Sequence, residues 1–411
     1  MARAALLLGA ENTAAECIVR AAQQLDVGVH VATHRELYVR CRPQMRRELS
    51  GVVFTDFRSA EQAVDQLAEY CTQEGIGAVA VSGGRFSPLA AALALRIGAP
   101  GHSAGRAPAA RNKWHMAQAM QRHGVPSAPT VALVSPEAAQ QRLEAAGLDY
   151  PVVVKPVENT GSVGVSVVRG PAELQPAVRR ALNRCTDTTY GLAYGAVALV
   201  QGYLEGPEYS VVSVLHQGNC THLALTRKYM TDGREREETG HTVPADLDEW
   251  TTARTAAAVA DGVVALGLRD GIAQTDLKLT ADGPVLIEIG AGPPDGAVLE
   301  AIKHATGIDL ARAYVQTVLG EAPQPQPRRS GAAALRYINT AAHGTFRGLT
   351  GLSLNPHLAA VRSYVEPGDL VGGAEVKHTR VGHAIVVAAN PVEADRRAAA
   401  VMVSVACDVE A

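Results

Sequence analysis

Along the first 110 positions, short apolar runs alternate with longer segments in which apolar side chains recur every three or four places. The runs at 4–8, 27–32, 52–55 and 78–82 read as buried strands, and the segments 13–25, Ala60–Glu74 and Ser87–Ile97 as amphipathic helices. Such alternation predicts a doubly wound parallel sheet. No G-x-G-x-x-G follows the first strand, which argues against a dinucleotide site. A helix over 111–123 ends at Gly124 and Pro126. The pattern then changes. Strands at 152–154, 165–168, 197–201 and 209–215 are bounded by Gly and Pro, with Gly161, Gly164 and Gly170 marking turns. A long helix over 250–266 precedes strands at 271–279 and 284–289, joined through Ala281-Asp282-Gly283 as a hairpin. PQPQPRR at 323–329 reads as a linker, and the remainder as a small α+β module. The division predicted is 1–110, 111–200, 201–325 and 326–411.

Bulk composition narrows the partners. The chain has 411 residues, enough for two to four domains, and 47% hydrophobic residues, enough for large cores. A net charge of −3 with 19% charged residues gives no basic excess for nucleic acid. None of the six cysteines, Cys17, Cys41, Cys71, Cys185, Cys220 and Cys407, forms a C-x-x-C pair, so buried thiols in a reducing, cytoplasmic compartment are expected. The opening MARAALLLGA runs directly into Glu11 and Asn12, which suits a first strand better than a signal peptide. No apolar stretch reaches the ~18–20 residues of a membrane span. His30 and His34 leave a strand end rather than share a helix face, so they make a poor metal pair.

Three segments carry candidate chemistry. In YPVVVKPVENTGSVGVSVV, residues 150–168, a strand delivers Lys155 into a loop bearing Thr160, Gly161, Ser162 and Gly164. Backbone N–H groups of such a loop can cradle phosphate, with the lysine as a point charge; an ordinary hairpin turn is the plainer alternative. In QTDLKLTADGPVLIEIGAGPPDG, residues 274–296, Asp276 and Glu288 fall on successive strands of one hairpin. Paired across it, their side chains share a face, where a cation would relieve their repulsion. Solvated strand acids are the alternative, but Glu288 interrupts the apolar run 285–289, and a buried unpaired carboxylate is costly. In LVQGYLEGPEYSVVSV, residues 199–214, a strand passes through Gly206-Pro207 and leaves Glu208 beside the turn, either to read a nucleoside or as a surface loop.

The order of these segments, with Lys113 in RNK before them, resembles the ATP-grasp superfamily, and within it the carboxylate–amine ligases of the dipeptide-forming L-amino-acid ligase type. The likeness covers nearly the whole chain and includes Glu238-Thr-Gly-His241 with Pro244-Ala245, the stretch 332–337, and Pro367-Gly368. It implies an ATP-grasp architecture: an N-terminal doubly wound sheet, a core with a lid subdomain, and a C-terminal α+β module. It implies ATP and Mg2+, with Mn2+ as a substitute, small acid and amine substrates, no nucleic acid or membrane partner, and room for a homodimer. Lys113 and Lys155 would bind the α- and β-phosphates, and residues 158–164, from Glu158 through Thr160, Gly161 and Ser162 to Gly164, would form the lid. Gln201, Gly202, Tyr203 and Leu204 would present backbone to adenine, Glu208 would hold the ribose, and Lys228 would touch the departing phosphate. Asp276 and Glu288 would ligate the metal, while Glu238 and His241 would line the amino-acid pocket. Several positions depart from the superfamily pattern: Gly290 and Gly292 stand where Asn and Arg are usual, and the hinge reads Gln201-Gly202 where two acidic residues are common. A preorganised charge matters where an oxyanion forms, so Arg336, or else Lys278, is expected to replace the missing arginine. A non-catalytic nucleotide-binding protein and a carboxylase-like enzyme that activates bicarbonate are the competing readings.

Overall fold

The computed structural model describes residues 3–184, 187, 189–233, 236–352, 356–372 and 379–411; Cys185 lies outside them. The N-terminal strands β1 (Arg3–Leu8), β2 (Val27–Thr33), β3 (Gly51–Phe54) and β4 (Ala78–Val81) form a parallel sheet in the order β3-β2-β1-β4. Helices cover it, which is why Leu6, Leu7 and Leu8 are fully buried and the strand reads as one apolar run. Asn12 caps the helix Thr13–Gln23 by accepting from the Ala15 N–H, and Ser59 caps Ala60–Glu74 in the same way through Gln62. The strand order reverses between β1 and β4, so a crevice opens at their carboxyl ends. Asn12 Nδ2 donates across it to the Ser82 carbonyl at 3.1 Å.

A second, antiparallel sheet comprises β5 (Thr130–Leu133), β6 (Val152–Pro156), β7 (Ser166–Val168) and β8 (Ala198–Gly202), in the order β5-β8-β6-β7. The helices Ala139–Ala145 and Pro171–Leu182 pack on it through Leu143, Leu174 and Val178.

The third sheet takes in β9 (Glu208–His216), β10 (Asn219–Met230), β11 (Glu238–Val243), β12 (Gly271–Thr280), β13 (Gly283–Ala291) and β14 (Ala332–Thr340). After β15 (Gly344–Thr350) come β16 (Leu358–Ser363), β17 (Leu370–Val371), β18 (Thr379–Ala388) and β19 (Ala406–Glu410). The order β13-β12-β9-β10-β11-β14-β18-β16 makes one eight-stranded sheet, and β17-β15-β19 a small separate one. The sheet therefore runs straight across the boundary expected at 325/326, because β14 pairs with β11. Proline punctuation marks where the chain leaves the helix Leu310–Val318; it carries no sign that the next strand will close an open sheet edge.

One side chain ties the second sheet's subdomain to the first. Tyr190 is fully buried, with its ring 5.4 Å from Phe57, 4.8 Å from Phe86 and 5.2 Å from His34, centroid to centroid. Its hydroxyl donates to Glu11. Beside it Asp187 accepts from Arg85 and from the Tyr194 hydroxyl, both at 2.9 Å. Tyr190→Ala is expected to cost about 3–5 kcal/mol, and Tyr190→Phe about 1–2 kcal/mol through the lost hydrogen bond. Urea unfolding followed by circular dichroism checks both; an unchanged midpoint in the alanine variant would show that Tyr190 does not brace the two subdomains.

Candidate active site

The three large sheets meet at a cleft of about 710 Å³. At one end β8 gives way to residues 202–204, whose backbone and side chains line the cleft. Gln201 Nε2 donates to Thr130 Oγ1 at 2.7 Å, so its side chain is committed to β5. The chain then turns at Gly206, with φ +118°, where a Cβ would fall 2.1 Å from the Leu279 carbonyl oxygen; only glycine fits. Glu208 opens β9, in register with Lys228 on one side and Lys278 on the other.

Two lysines converge next to this hinge. Lys113 begins the helix Lys113–Arg122, whose cap Asn112 accepts from the Trp114 and His115 N–H groups at 3.1 and 3.0 Å. Its ammonium donates to the Asn159 carbonyl at 2.8 Å and lies 3.0 Å from Glu288 Oε1. Lys155, on β6, is buried. Burial pulls its pKa down to about 8; Glu288 opposes that shift and Lys113 adds to it. Above them Thr160, Gly161 and Ser162 line the cleft, with positive φ at Gly161, Ser162 and Gly164. Glu158 is a root of this loop rather than part of a roof. It is buried, pairs with Arg111 at 3.1 Å and accepts from the Gly195 N–H at 2.9 Å, so both of its oxygens are engaged inside the fold.

The hairpin brings Asp276 and Glu288 directly opposite each other. Asp276 accepts from Ser210, from Gln274 Nε2 at 3.2 Å and from Lys228 at 2.5 Å. Lys228 also lies 3.2 Å from Glu238 and 3.5 Å from Glu208. Burial works against its charge, yet Asp276, Glu238 and Glu208 outweigh that and hold the ammonium well above its ordinary range. Burial likewise pushes Glu238 up, but Lys228 and then His241 keep it below the usual carboxylate range. His241 stands behind Glu238 rather than in the cleft. It is buried, with Nε2 3.3 Å from Glu238 and Nδ1 3.0 Å from Thr226 Oγ1, so it orients that carboxylate. Among the described residues no cluster of three His, Cys, Asp or Glu side chains gathers to hold a metal. Two hard carboxylates facing one another, without sulfur or imidazole, suit magnesium completed by phosphate oxygens and not zinc.

Neither cation expected to replace the missing arginine does so. Arg336 turns to the opposite face of β14, donating to Asp395 Oδ1 at 2.6 Å and to the His241 and Leu335 carbonyls at 3.1 and 2.8 Å, with its guanidinium over the Tyr229 ring. Strand alternation explains this, since the odd-numbered neighbour Asn339 is the one that lines the cleft. Lys278 is held at the hinge, donating to the Leu204 carbonyl at 2.8 Å beside the Tyr203 ring. At Gly292 a Cβ would lie 2.9 Å from the Gly84 nitrogen, so the loop after β4 excludes any side chain there. Gly290 is open, with the Gln274 carbonyl 3.9 Å from its missing Cβ. Arg85, Arg111, Arg236 and Arg380 line the cleft and went unread in the sequence; Arg111 stands in RNK, where only Lys113 was given a role, and the other three sit in no motif with phosphate or carboxylate spacing.

Two outcomes follow from these environments. Lys155 is protonated below about 8 and loses its charge as pH rises through that value; a bound phosphate would restore it. ATP affinity is therefore expected to fall above pH 8 by up to ~10-fold per unit, with Lys155→Met abolishing the slope, as read by calorimetric titration in buffers of different ionisation enthalpy. Arg336→Ala is expected to lower stability by about 1–3 kcal/mol without changing nucleotide affinity. Parallel denaturation and nucleotide titration check it; weakened ATP binding in a folded variant would return Arg336 to the site.

Residues 148–298 match the ATP-grasp domain and residues 336–410 match L-amino acid ligase C-terminal domain 2. The chain is 24% identical over 268 residues to alanine–anticapsin ligase of Bacillus subtilis, covering 61% of this chain and 56% of that protein. It is 30% identical over 185 residues to D-alanine–D-alanine ligase of Corynebacterium urealyticum, covering 41% and 47%. It thus spans about half the length of these curated relatives. The crystal structure of an L-amino acid ligase from Bacillus licheniformis superposes with a TM-score of 0.83 at 21% identity, over 100% of this chain and 99% of that one. This chain therefore carries an ATP-grasp domain followed by an L-amino acid ligase C-terminal domain, and residues of both line the cleft.

Proposed function

We propose that the protein is an ADP-forming ligase that activates a carboxylate as an acyl phosphate and joins it to an amine. The observation that carries this reading is the facing pair Asp276 and Glu288, each held by a lysine, midway along the cleft between the hinge and the loops of the parallel sheet. In this reading the backbone at 202–204 takes adenine, Glu208 the ribose, and Lys113 and Lys155 the α- and β-phosphates, while Lys228 meets the departing phosphate. Magnesium, or manganese in its place, would supply neutralisation of the β- and γ-phosphates, and Asp276 and Glu288 would hold it. An oxygen of the substrate carboxylate forms a bond to the γ-phosphorus as the bond to ADP breaks. The amine nitrogen then bonds to the acyl carbon as phosphate leaves and the amine loses a proton. The loop bearing Thr160, Gly161 and Ser162 keeps water from the acyl phosphate, and positioning with charge neutralisation supplies most of the acceleration.

The amino-acid ligases among its relatives support an amino acid or a similar small acid as the activated substrate. The compartment proposed is the cytoplasm, where ATP is made. Cys17, Cys41, Cys71, Cys220 and Cys407 are free thiols, and among the described residues no helix is long and apolar enough to cross a membrane. One observation favours a second reading, a nucleotide-binding protein without ligase chemistry: Gly292 is walled in by Gly84, so the usual cation cannot stand there. ADP release with and without an amino-acid mixture separates the two. Glu288→Gln is expected to lower amine-dependent ADP release by at least ~10² while leaving the unfolding midpoint near that of the parent. Turnover within twofold of the parent at saturating magnesium would reject the metal role of the pair.

A further inference from the structure

We infer that Arg380 and Asn339 form the subsite for a carboxylate that does not react, that of the amine substrate. The inference rests on the ligase reading for the name of its ligand, and on the cleft itself for its residues. Of the cations lining the cleft, Arg85, Arg111, Lys113, Lys228 and Arg236 each form an ion pair with a carboxylate. Lys155 and Lys278 stand at the nucleotide end. Arg380, on β18, is at the other end, and among the described residues it pairs with no carboxylate. Its guanidinium carbon lies 3.5 Å from the centroid of the Tyr337 ring, and one Nη donates to the Glu238 carbonyl at 3.0 Å. Stacked and pinned in this way, the planar fork keeps N–H groups to spare for a bidentate anion and pays little ordering entropy to bind it.

Asn339 is the cross-strand partner of Arg380 and also lines the cleft. Its Oδ1 is buried with no hydrogen-bond partner. An acceptor left in that state is destabilising until a donor arrives. A guanidinium beside an unused amide oxygen suits a carboxylate that carries an N–H group close by, the pairing an α-amino acid presents. Contacts running from Arg380 through Glu238 and Lys228 to Asp276 set this subsite apart from the phosphate end. A carboxylate held there is kept from phosphorylation, so the product retains it as a free acid.

The test titrates the proteinogenic L-amino acids, one at a time, into protein loaded with ADP and magnesium, followed by the α-amides of those that bind. Arg380→Gln is expected to weaken amino-acid binding ~10- to 100-fold, to leave ADP affinity within twofold, and to erase the parent's preference for the acid over its amide. Asn339→Ala, which removes a buried amide oxygen without a hydrogen-bond partner, is expected to weaken binding several-fold. If Arg380→Gln does not fold, Arg380→Lys and Asn339→Ala decide the matter by the same acid-to-amide comparison. Parent-like binding in the variants, an equal loss for acid and amide, or no amino-acid binding by the parent would overturn the subsite. Phosphate release is scored in separate samples that hold ATP, magnesium and the amino-acid mixture: amino-acid binding without any ADP formation there would sink the ligase reading and leave the subsite standing.

Discussion

Two carboxylates fixed on adjacent strands repel, and the cleft is organised around that repulsion. Asp276 and Glu288 are opposite one another in a hydrogen-bonded hairpin, so neither can withdraw without breaking the register. Relief comes from outside the hairpin, from Lys113 at the start of a helix and from Lys228 on β10. At ~3 Å a unit-charge pair gains several times the thermal energy even at an effective dielectric near 20, which is enough to hold Lys228 charged despite burial. Lys155 shows what happens otherwise: among the described residues no carboxylate pairs with it, and burial loosens its proton until the pKa is about 8. Lys155 and Lys228 thus differ because their neighbours do.

The parallel sheet contributes through its loops rather than its strands. The reversal between β1 and β4 opens the crevice, and the Asn12–Ser82 bond fixes its width. The loop that follows β4 then packs so closely on Gly292 that no Cβ can stand between them. Tyr190 fastens the subdomain of β5 to β8 to the same sheet, in a socket of Phe57, Phe86 and His34. That subdomain and the crevice therefore share a rigid support.

Much of this was legible in the sequence because local rules decide it. Strand–helix alternation, the Asp282-Gly283 turn and the period-two spacing of Asp276 and Lys278 each follow from a few neighbouring residues, and β12 with β13 forms as read. Lys113 and Lys155 were legible as separate motifs, but what brings them to one cleft is a long-range contact, the Lys113 N–H donating to the Val157 carbonyl at 2.9 Å. The face of β14 was not legible. Arg336 and Tyr337 differ by one position and by the whole thickness of the sheet, and only the pairing with β11 and β18 says which side meets the cleft. Arg380 gave no signal at all, since its partners, Tyr337 and Glu238, come from two other strands. The linker was legible as a break between elements, but prolines report local stiffness, not that the strand beyond them closes a distant sheet edge.

That sheet also acts as a ruler. The strand bearing Asp276 and the strand bearing Arg380 are rungs of one ladder, with β9, β10, β11 and β14 between them. Neighbouring rungs are ~4.8 Å apart and cannot be stretched while their hydrogen bonds hold. A side chain can swing, and a loop can open, but the count of rungs is fixed by the fold. Any molecule that touches both ends of the cleft must match a length set by backbone pairing, so changing a pocket residue can alter what is grasped more readily than how far apart the two grips stand.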